Sequence, residues 1–73
     1  MKIELITREG CHLCEMALAS IRRAGLEPEL VDVDARDDLR ALYDFRVPVL
    51  LVDGRVVAEG IVDGDSIAEQ IRS

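Results

Sequence analysis

Two cysteines lie three positions apart in the segment Cys11-His12-Leu13-Cys14, and the chain has no others. The loop that a disulfide would close between them is too short to constrain much of the unfolded chain, so we do not expect the pair to stabilise the fold as a cross-link. The apolar spacing that follows places both at or inside a helix start, where free N–H groups and the helix dipole stabilise a thiolate. Lowering a thiol pKa from ~8.5 to ~6 raises its ionised fraction at pH 7 from about 3% to about 90%.

This placement predicts thiol–disulfide exchange with a separate role for each sulfur. Cys11 would attack a disulfide, and Cys14, one helical turn deeper in the apolar stripe, would resolve the mixed disulfide. The plain alternative, two buried core cysteines, fits poorly with a pair at a helix start. A zinc site within one chain needs four ligands, and a c-type haem needs histidine directly after the second cysteine, where Glu15 stands. We therefore predict catalytic cysteines and no metal site.

Two basic residues near the pair are candidates for substrate binding. His12, as an imidazolium, would favour the Cys11 thiolate and make the disulfide easier to reduce. An exposed polar residue with no such role is the equally weighted alternative. Arg8, three positions before Cys11, would add positive charge or hold a substrate carboxylate, and an ordinary solvated loop charge is its equally weighted alternative.

The first half of the chain contains the elements that would position the cysteines. Residues Lys2 to Thr7 alternate polar and apolar side chains and predict a strand that ends in a turn at Gly10. A helix follows from Cys11 and ends at Gly25. Its predicted apolar stripe, at positions i, i+3, i+4 and i+7, consists of Cys14, Ala17, Leu18 and Ile21. Glu29 to Asp34 predict a second strand, parallel to the first. Asp34 is predicted to cap a short helix carrying Leu39, Leu42 and Tyr43.

The second half predicts a hairpin and a last helix. Pro48 opens the strand Val49-Leu50-Leu51-Val52, and Asp53-Gly54 is a two-residue hairpin signal leading into a strand over Arg55 to Glu59. The segment Ser66-Ile67-Ala68-Glu69 is a capping-box pattern that announces the final helix. The predicted order is β-α-β-α-β-β-α, a four-stranded mixed sheet covered by three helices in an α/β class, as one domain over residues 1–73.

Composition limits the partners. With 73 residues and 49% apolar content, the chain makes one small core, and its net charge of −6 disfavours a partner held by phosphate contacts, such as nucleic acid. The longest apolar run, Val47 to Val52, is far below the ~20 residues that cross a bilayer. The first residues, with Lys2, Glu4 and Arg8, lack a signal-peptide pattern. We expect a cytoplasmic protein without a membrane partner.

Two segments together resemble the thioredoxin superfamily, and within it the small glutaredoxin-like proteins. The segment from Thr7 to Cys14 is similar to the one in which glutaredoxins carry a basic residue three positions before C-P-Y-C. The segment from Val47 to Gly54 is similar to their V-P-x-hydrophobic-N-G segment, and the resemblance covers essentially the whole chain. It implies a thioredoxin-like fold with Arg8, Cys11 and Cys14 at functional positions.

The resemblance also implies that substrate docks along the edge formed by Val47 and Pro48, the docking edge. Pro48 would be cis and face Cys11, and the backbone of Val47 would pair with a peptide or with glutathione. Gly60 stands at the second position of the Gly-Gly pair that ends the family's glutathione site, and Glu59 replaces the first glycine with a negative charge. The family's Pro and Tyr are here His12 and Leu13.

The predicted function is that of a thiol–disulfide oxidoreductase acting on protein or glutathione disulfides. The resemblance implies reduction by glutathione or by a reductase that serves as electron donor, with no tightly bound cofactor, and we expect a monomer. Two alternatives use the same cysteines. One is a soft-metal carrier for copper or zinc, resembling the heavy-metal-associated domains with their β-α-β-β-α-β order. The other is an iron–sulfur cluster carrier, in which a dimer would bridge the cluster with glutathione as co-ligand.

Overall fold

The computed structural model describes residues 1–72, so Ser73, the last residue of the predicted 1–73 domain, lies outside the described residues. In chain order the elements are β1 (Ile3–Thr7), α1 (His12–Arg23), β2 (Glu29–Asp32), a 3-10 helix (Val33–Ala35), α2 (Asp37–Tyr43), β3 (Val49–Val52), β4 (Arg55–Glu59) and α3 (Gly64–Arg72). The predicted succession of four strands and three α-helices is confirmed. None of the helices in this described part has the length and apolar character needed to cross a membrane.

The four strands form one mixed sheet in the order β2-β1-β3-β4. β1 pairs parallel with β2 and antiparallel with β3, and β3 pairs antiparallel with β4. The hairpin between β3 and β4 turns at Asp53 and Gly54, whose φ angles of 51° and 81° are those of a two-residue primed turn. The two-residue hairpin predicted from Asp53-Gly54 is therefore confirmed.

Each face of the sheet has its own apolar cluster, because successive side chains of a strand point to opposite faces. Leu5 and Leu50 point toward α1 and α3, and Ile6 and Val49 point toward α2; each is at most 1% exposed. The cluster on the α1 and α3 side also contains Ala17, Ile21, Val62 and Ile67. The cluster on the α2 side also contains Val33, Leu39 and Leu51. The two layers together fix the ends of β1 and β3, where the cysteines and Pro48 lie.

Helix α1 ends as its sequence predicts. Gly25 has a φ of +86°, and its N–H donates to the carbonyl of Arg22 at 2.9 Å. The N–H of Leu26 donates to the carbonyl of Ile21 at 3.2 Å, which completes a Schellman motif. Within the helix, Cys14, Ala17 and Ile21 are buried, so the predicted apolar stripe is the face that α1 turns to the sheet.

The predicted end of the second strand and the helix cap at Asp34 are wrong. β2 ends at Asp32, whose carboxylate accepts the N–H of Asp34 at 2.9 Å and starts the 3-10 helix. α2 then begins at Asp37 behind Arg36, whose side chain makes no capping hydrogen bond. The Asp34 carboxylate turns instead toward Arg8. An aspartate side chain can cap a nearby helix or pair with a cation elsewhere in the fold. Asp34 pairs with the guanidinium of Arg8 and does not cap α2.

The predicted starts of the first strand and of the last helix also differ from the structure. β1 begins at Ile3 and not at Lys2. The capping box at Ser66 is wrong, because α3 begins two residues earlier, at Gly64. The carboxylate of Asp63 accepts the N–H of Asp65 at 3.1 Å, and the hydroxyl of Ser20 accepts the N–H of Gly64 at 2.9 Å. A side chain from α1 therefore supplies part of the cap of α3.

Candidate active site

Cys11 and Cys14 are joined in a disulfide, with 5.2 Å between their Cα atoms. Cys11 occupies the N-cap of α1, and its Sγ accepts the backbone N–H of Cys14 at 3.1 Å. Cys14 is 4% exposed, whereas Cys11 is partly exposed. The outer sulfur is thus the one that an incoming thiol or disulfide can reach. The separate roles predicted for Cys11 and Cys14 stay predictions.

The loop before α1 holds the Cys11 backbone at both ends. The N–H of Cys11 donates to the carbonyl of Arg8 at 3.2 Å, and the carbonyl of Cys11 accepts the N–H of Glu15 at 3.2 Å. The first bond closes a turn through Gly10, whose φ is +79°. In the reduced protein the same sulfur, at the same N-cap, would receive the N–H groups and the positive dipole end that favour a thiolate.

Arg8 is brought to the site but is already bound to two acidic residues. Its Nε and Nη2 donate to the two carboxylate oxygens of Asp34 at 2.9 and 3.0 Å. Its Nη1 donates to the carbonyl of Asp44 at 3.0 Å, and Nη2 also contacts the Asp44 carboxylate. The hydrogen bonds from Arg8 lower the pKa of Asp34, and those to Asp34 and then Asp44 raise the pKa of Arg8. Its predicted contact with a substrate carboxylate stays a prediction.

His12 is placed at the first position of α1 with 82% of its side chain exposed. Its Nδ1 lies 3.8 Å from a carboxylate oxygen of Glu15, one turn further along the helix. The ring is therefore accessible to a docking partner. Its predicted contact with substrate stays a prediction.

The Val47–Pro48 peptide bond is cis, as the resemblance implied. Pro48 is buried, and its carbonyl accepts the N–H of Gly60 at 2.8 Å, while Val47 stays partly exposed. Gly60 has a φ of +73°, a conformation that favours glycine. The structure thus joins the segment before β3 to the β4–α3 connection. Contacts of Val47, Pro48 and Gly60 with substrate stay predictions.

A shallow groove of 140 Å³ connects Gly60 to the helix of the cysteine motif. It lies between Leu13 and Met16 of α1 and Ile61 of the β4–α3 connection, which are 45%, 54% and 87% exposed. The sequence predicts no substrate-binding role for these three apolar residues. Leu13 and Met16 stand off the apolar stripe of α1, and an apolar side chain on the polar face of a helix is the signal that could have identified them.

A second recess, of 240 Å³, lies on the other side of the cysteine motif. Both cysteines line it, together with Glu9, Leu18 and the half-exposed Leu30 of β2. The disulfide is therefore bordered by open space toward β2.

The negative charge predicted beside Gly60 has a cationic partner. The carboxylate of Glu59 accepts from Nε of Arg46 at 3.0 Å, and this bond raises the pKa of Arg46. Arg46 also lies over the ring of Tyr43, 5.3 Å from its centroid. Glu59 is therefore held toward the end of α2 and does not stand as an isolated charge at the site.

One family model matches nearly the whole chain. The model of the family described as "Glutaredoxin-like domain (DUF836)" matches residues 2–72. No curated protein matches the sequence significantly. Among solved structures, protein Ne2328 from Nitrosomonas europaea is 35% identical, with a TM-score of 0.79 over 94% of this chain and 88% of that one.

Two further solved structures support the architecture. Target protein XcR50 from X. campestris is 28% identical, with a TM-score of 0.80 over 96% of this chain and 95% of that one. The glutaredoxin grx-1 from Archaeoglobus fulgidus has a TM-score of 0.67 over 99% of this chain and 87% of that one. Its 17% identity shows a shared fold alone. The fold predicted from the resemblance is confirmed.

Proposed function

The chain belongs to the glutaredoxin-like domain family and has a thioredoxin-like fold, and on this basis we propose that it is a thiol–disulfide oxidoreductase. The observation that carries the proposal is the arrangement of the two sulfurs. Cys11 Sγ stands at the N-cap of α1 and accepts an N–H bond, while Cys14 is buried beneath it. This arrangement supports a stabilised thiolate at the surface and a shielded second thiol within reach.

The exchange balances in two steps. The Cys11 thiolate attacks one sulfur of a substrate disulfide, forms a mixed disulfide and expels the other substrate sulfur as a thiolate, which takes up a proton. Cys14 then loses its proton and attacks Cys11 Sγ, which releases the second substrate thiol. The substrate gains two electrons and two protons, and the protein ends with the Cys11–Cys14 disulfide. Glutathione or the dithiol of a reductase would return it to the reduced state.

The proposal assigns the docking of substrate to the surface around Cys11. The backbone of Val47 and the partly exposed Gly60, linked through the buried Pro48, would pair with the chain that flanks a substrate cysteine. The exposed His12 would lie at the edge of this surface. The substrate is a protein or glutathione disulfide, the chain acts as a monomer, and the reducing compartment is the cytoplasm.

The soft-metal carrier is not favoured. A carrier of that kind would resemble the heavy-metal-associated domains, which have the order β-α-β-β-α-β. This chain has the order β-α-β-α-β-β-α and a cis-proline at the start of β3. The iron–sulfur alternative stays a prediction.

The proposed function is tested by a redox titration. The purified protein is equilibrated in defined glutathione buffers, and mass spectrometry scores the two-proton difference between dithiol and disulfide. We expect a single two-electron couple between about −120 and −270 mV, the range of working oxidoreductases. A protein whose dithiol forms no intramolecular disulfide in any of these buffers would contradict the proposal.

The roles of the two sulfurs are tested by trapping. Cys14→Ser should accumulate a mixed disulfide with a disulfide-bearing protein substrate, because the attack by Cys11 remains and the resolving thiol is gone. The adduct is measured on a non-reducing gel and by mass spectrometry, and dithiothreitol should release it. The matched control is the double variant Cys11→Ser/Cys14→Ser, which should form none. Equal trapping by Cys11→Ser alone would show that either sulfur can attack and would contradict the assigned roles.

A further inference from the structure

The guanidinium of Arg8 joins three segments that are distant in sequence. Asp34, in the 3-10 helix after β2, receives a two-pronged bond at 2.9 and 3.0 Å from a residue 26 positions earlier. Asp44, directly after α2, offers its carbonyl at 3.0 Å and its carboxylate, 36 positions from Arg8. Two planar contacts of this kind suit the fixed fork of arginine.

The backbone of the same arginine fixes the nucleophile. The carbonyl of Arg8 accepts the N–H of Cys11 at 3.2 Å and closes the turn that leads into α1. Asp44, held by the side chain, stands four residues before Pro48, and a turn bond from the N–H of Arg46 to the carbonyl of Tyr43 shortens that segment. One residue is therefore tied by its main chain to the cysteine loop and by its side chain to the segment that enters β3.

The charge at Arg8 is already balanced. All three of its nitrogens donate to Asp34 or Asp44. Nε of Arg40 also lies 3.8 Å from the Asp34 carboxylate, so two cations face two carboxylates and the local charge is about zero. The Arg8 side chain is only 30% exposed. A substrate carboxylate would have to displace one of these aspartates or approach a cluster of charges that has no net positive charge. Both routes disfavour an anionic ligand.

We propose that Arg8 is a positioning residue, which holds the Cys11 loop against the segment entering Val47–Pro48, and that it does not bind a substrate carboxylate. This inference deepens the proposed function and rests on it for its kinetic consequence. The contacts of Arg8 with Asp34 and Asp44, here called the clamp, fix where Cys11 lies relative to the docking edge at Val47 and Pro48. Its loss should slow attack on any disulfide, whatever the charge of that disulfide.

The test compares Arg8→Lys and Arg8→Gln on a neutral and an anionic substrate. Hydroxyethyl disulfide carries no charge, and oxidised glutathione carries carboxylates. We expect both variants to lower kcat/KM about tenfold on both substrates, within the ~100-fold that an ångström of misplacement can cost. Lysine keeps the charge but cannot make the fork with Asp34 and span to Asp44, so Arg8→Lys should lose as much as Arg8→Gln.

A matched control is Arg22→Gln. Arg22 makes a similar exposed fork with Glu27, at 3.0 to 3.1 Å, near the far end of α1. Its loss should leave both rates within about twofold of the wild type. Asp44→Asn should follow Arg8→Gln, and the double variant should be no worse than either single variant, because all of them break one clamp.

A readout without turnover separates this inference from the proposed function. In the reduced protein, the rate at which neutral iodoacetamide alkylates Cys11 reports how well the thiolate is held at the N-cap. We expect alkylation at pH 7 to slow several-fold in both Arg8 variants and not in Arg22→Gln. If the wild type reduces neither disulfide, the proposed function fails, and slower alkylation still supports the clamp. A loss of kcat/KM in Arg8→Gln on oxidised glutathione alone, restored in Arg8→Lys, would overturn the inference. Unchanged alkylation rates in both Arg8 variants would overturn it as well.

Discussion

Cys11→Ser is expected to abolish disulfide reduction, with kcat/KM falling by about 10³-fold or more. A serine hydroxyl at the N-cap keeps the hydrogen bond from the Cys14 N–H but does not ionise near pH 7, so no nucleophile remains on the surface. We expect that Cys14 does not replace it, because Cys14 is only 4% exposed.

The measurement is a steady-state assay on hydroxyethyl disulfide with a reductant in excess, beside an unfolding curve for each variant. The comparison runs against reduced wild-type protein, so that loss of the disulfide itself is not mistaken for loss of the nucleophile. Cys14→Ser serves as the paired variant, since it keeps the first attack and loses only the resolution. If Cys11→Ser retained more than a tenth of the wild-type rate, Cys14 would be a competent nucleophile and the assigned order would fail.

Much of the fold follows from local signals in the sequence. The apolar spacing from Cys14 to Ile21 predicts the buried face of α1, and Gly25 predicts its end, because both depend on residues within two turns of each other. The turn at Asp53-Gly54 follows from two residues that tolerate positive φ. The cysteine motif was predicted in the same way, since a helix start and its first turn are local.

Some of the contacts that differ from prediction are local, such as the Asp32 carboxylate on the Asp34 N–H, but the ones at the candidate site are tertiary. Asp34 is a good helix cap by type, but Arg8 lies 26 positions away in the chain and is invisible to a local pattern. The prediction that Arg8 binds substrate depends on its charge, its spacing from Cys11 and the family resemblance, and none of these reports its bonds to Asp34 and Asp44. The exposed apolar group at Leu13 and Ile61 comes from two elements, and no single-segment periodicity reports it.

The start of α3 shows the same limit and has a consequence for stability. The sequence pattern places the start of the helix at Ser66. The hydroxyl of Ser20, 44 positions away, accepts the Gly64 N–H and, together with the carboxylate of Asp63, caps an earlier start. That bond brings the backbone of α3 against the backbone of α1. At such a crossing the residue must be small, which explains a glycine at a helix start where its conformational freedom is a cost.

Gly64→Ala is accordingly expected to destabilise the protein by about 3 kcal/mol or more, at the upper end of overpacking effects. A Cβ at position 64 would lie 2.1 Å from the carbonyl oxygen and 2.5 Å from the carbonyl carbon of Ser20, and 2.8 Å from the N of Ile21. These are backbone atoms, so no side-chain rotation relieves the overlap and α3 must move away from α1. That movement opens the cluster containing Ile21 and Ile67.

Helix propensity predicts the opposite sign for this substitution, because alanine is favoured over glycine by about 1 kcal/mol inside a helix. The free energy of unfolding, measured in denaturant on the reduced protein, therefore decides between a local and a tertiary origin. Two controls separate the contributions. Ser20→Ala removes only the hydroxyl acceptor and should cost about 1 kcal/mol, and Gly54→Ala, which has open space at a φ of +81°, should cost about 1–2 kcal/mol. A Gly64→Ala protein as stable as the wild type would mean that α1 and α3 do not approach as closely as these distances state. Since a domain of this length has only about 4–11 kcal/mol in total, the expected loss would leave a measurable unfolded fraction on mild heating.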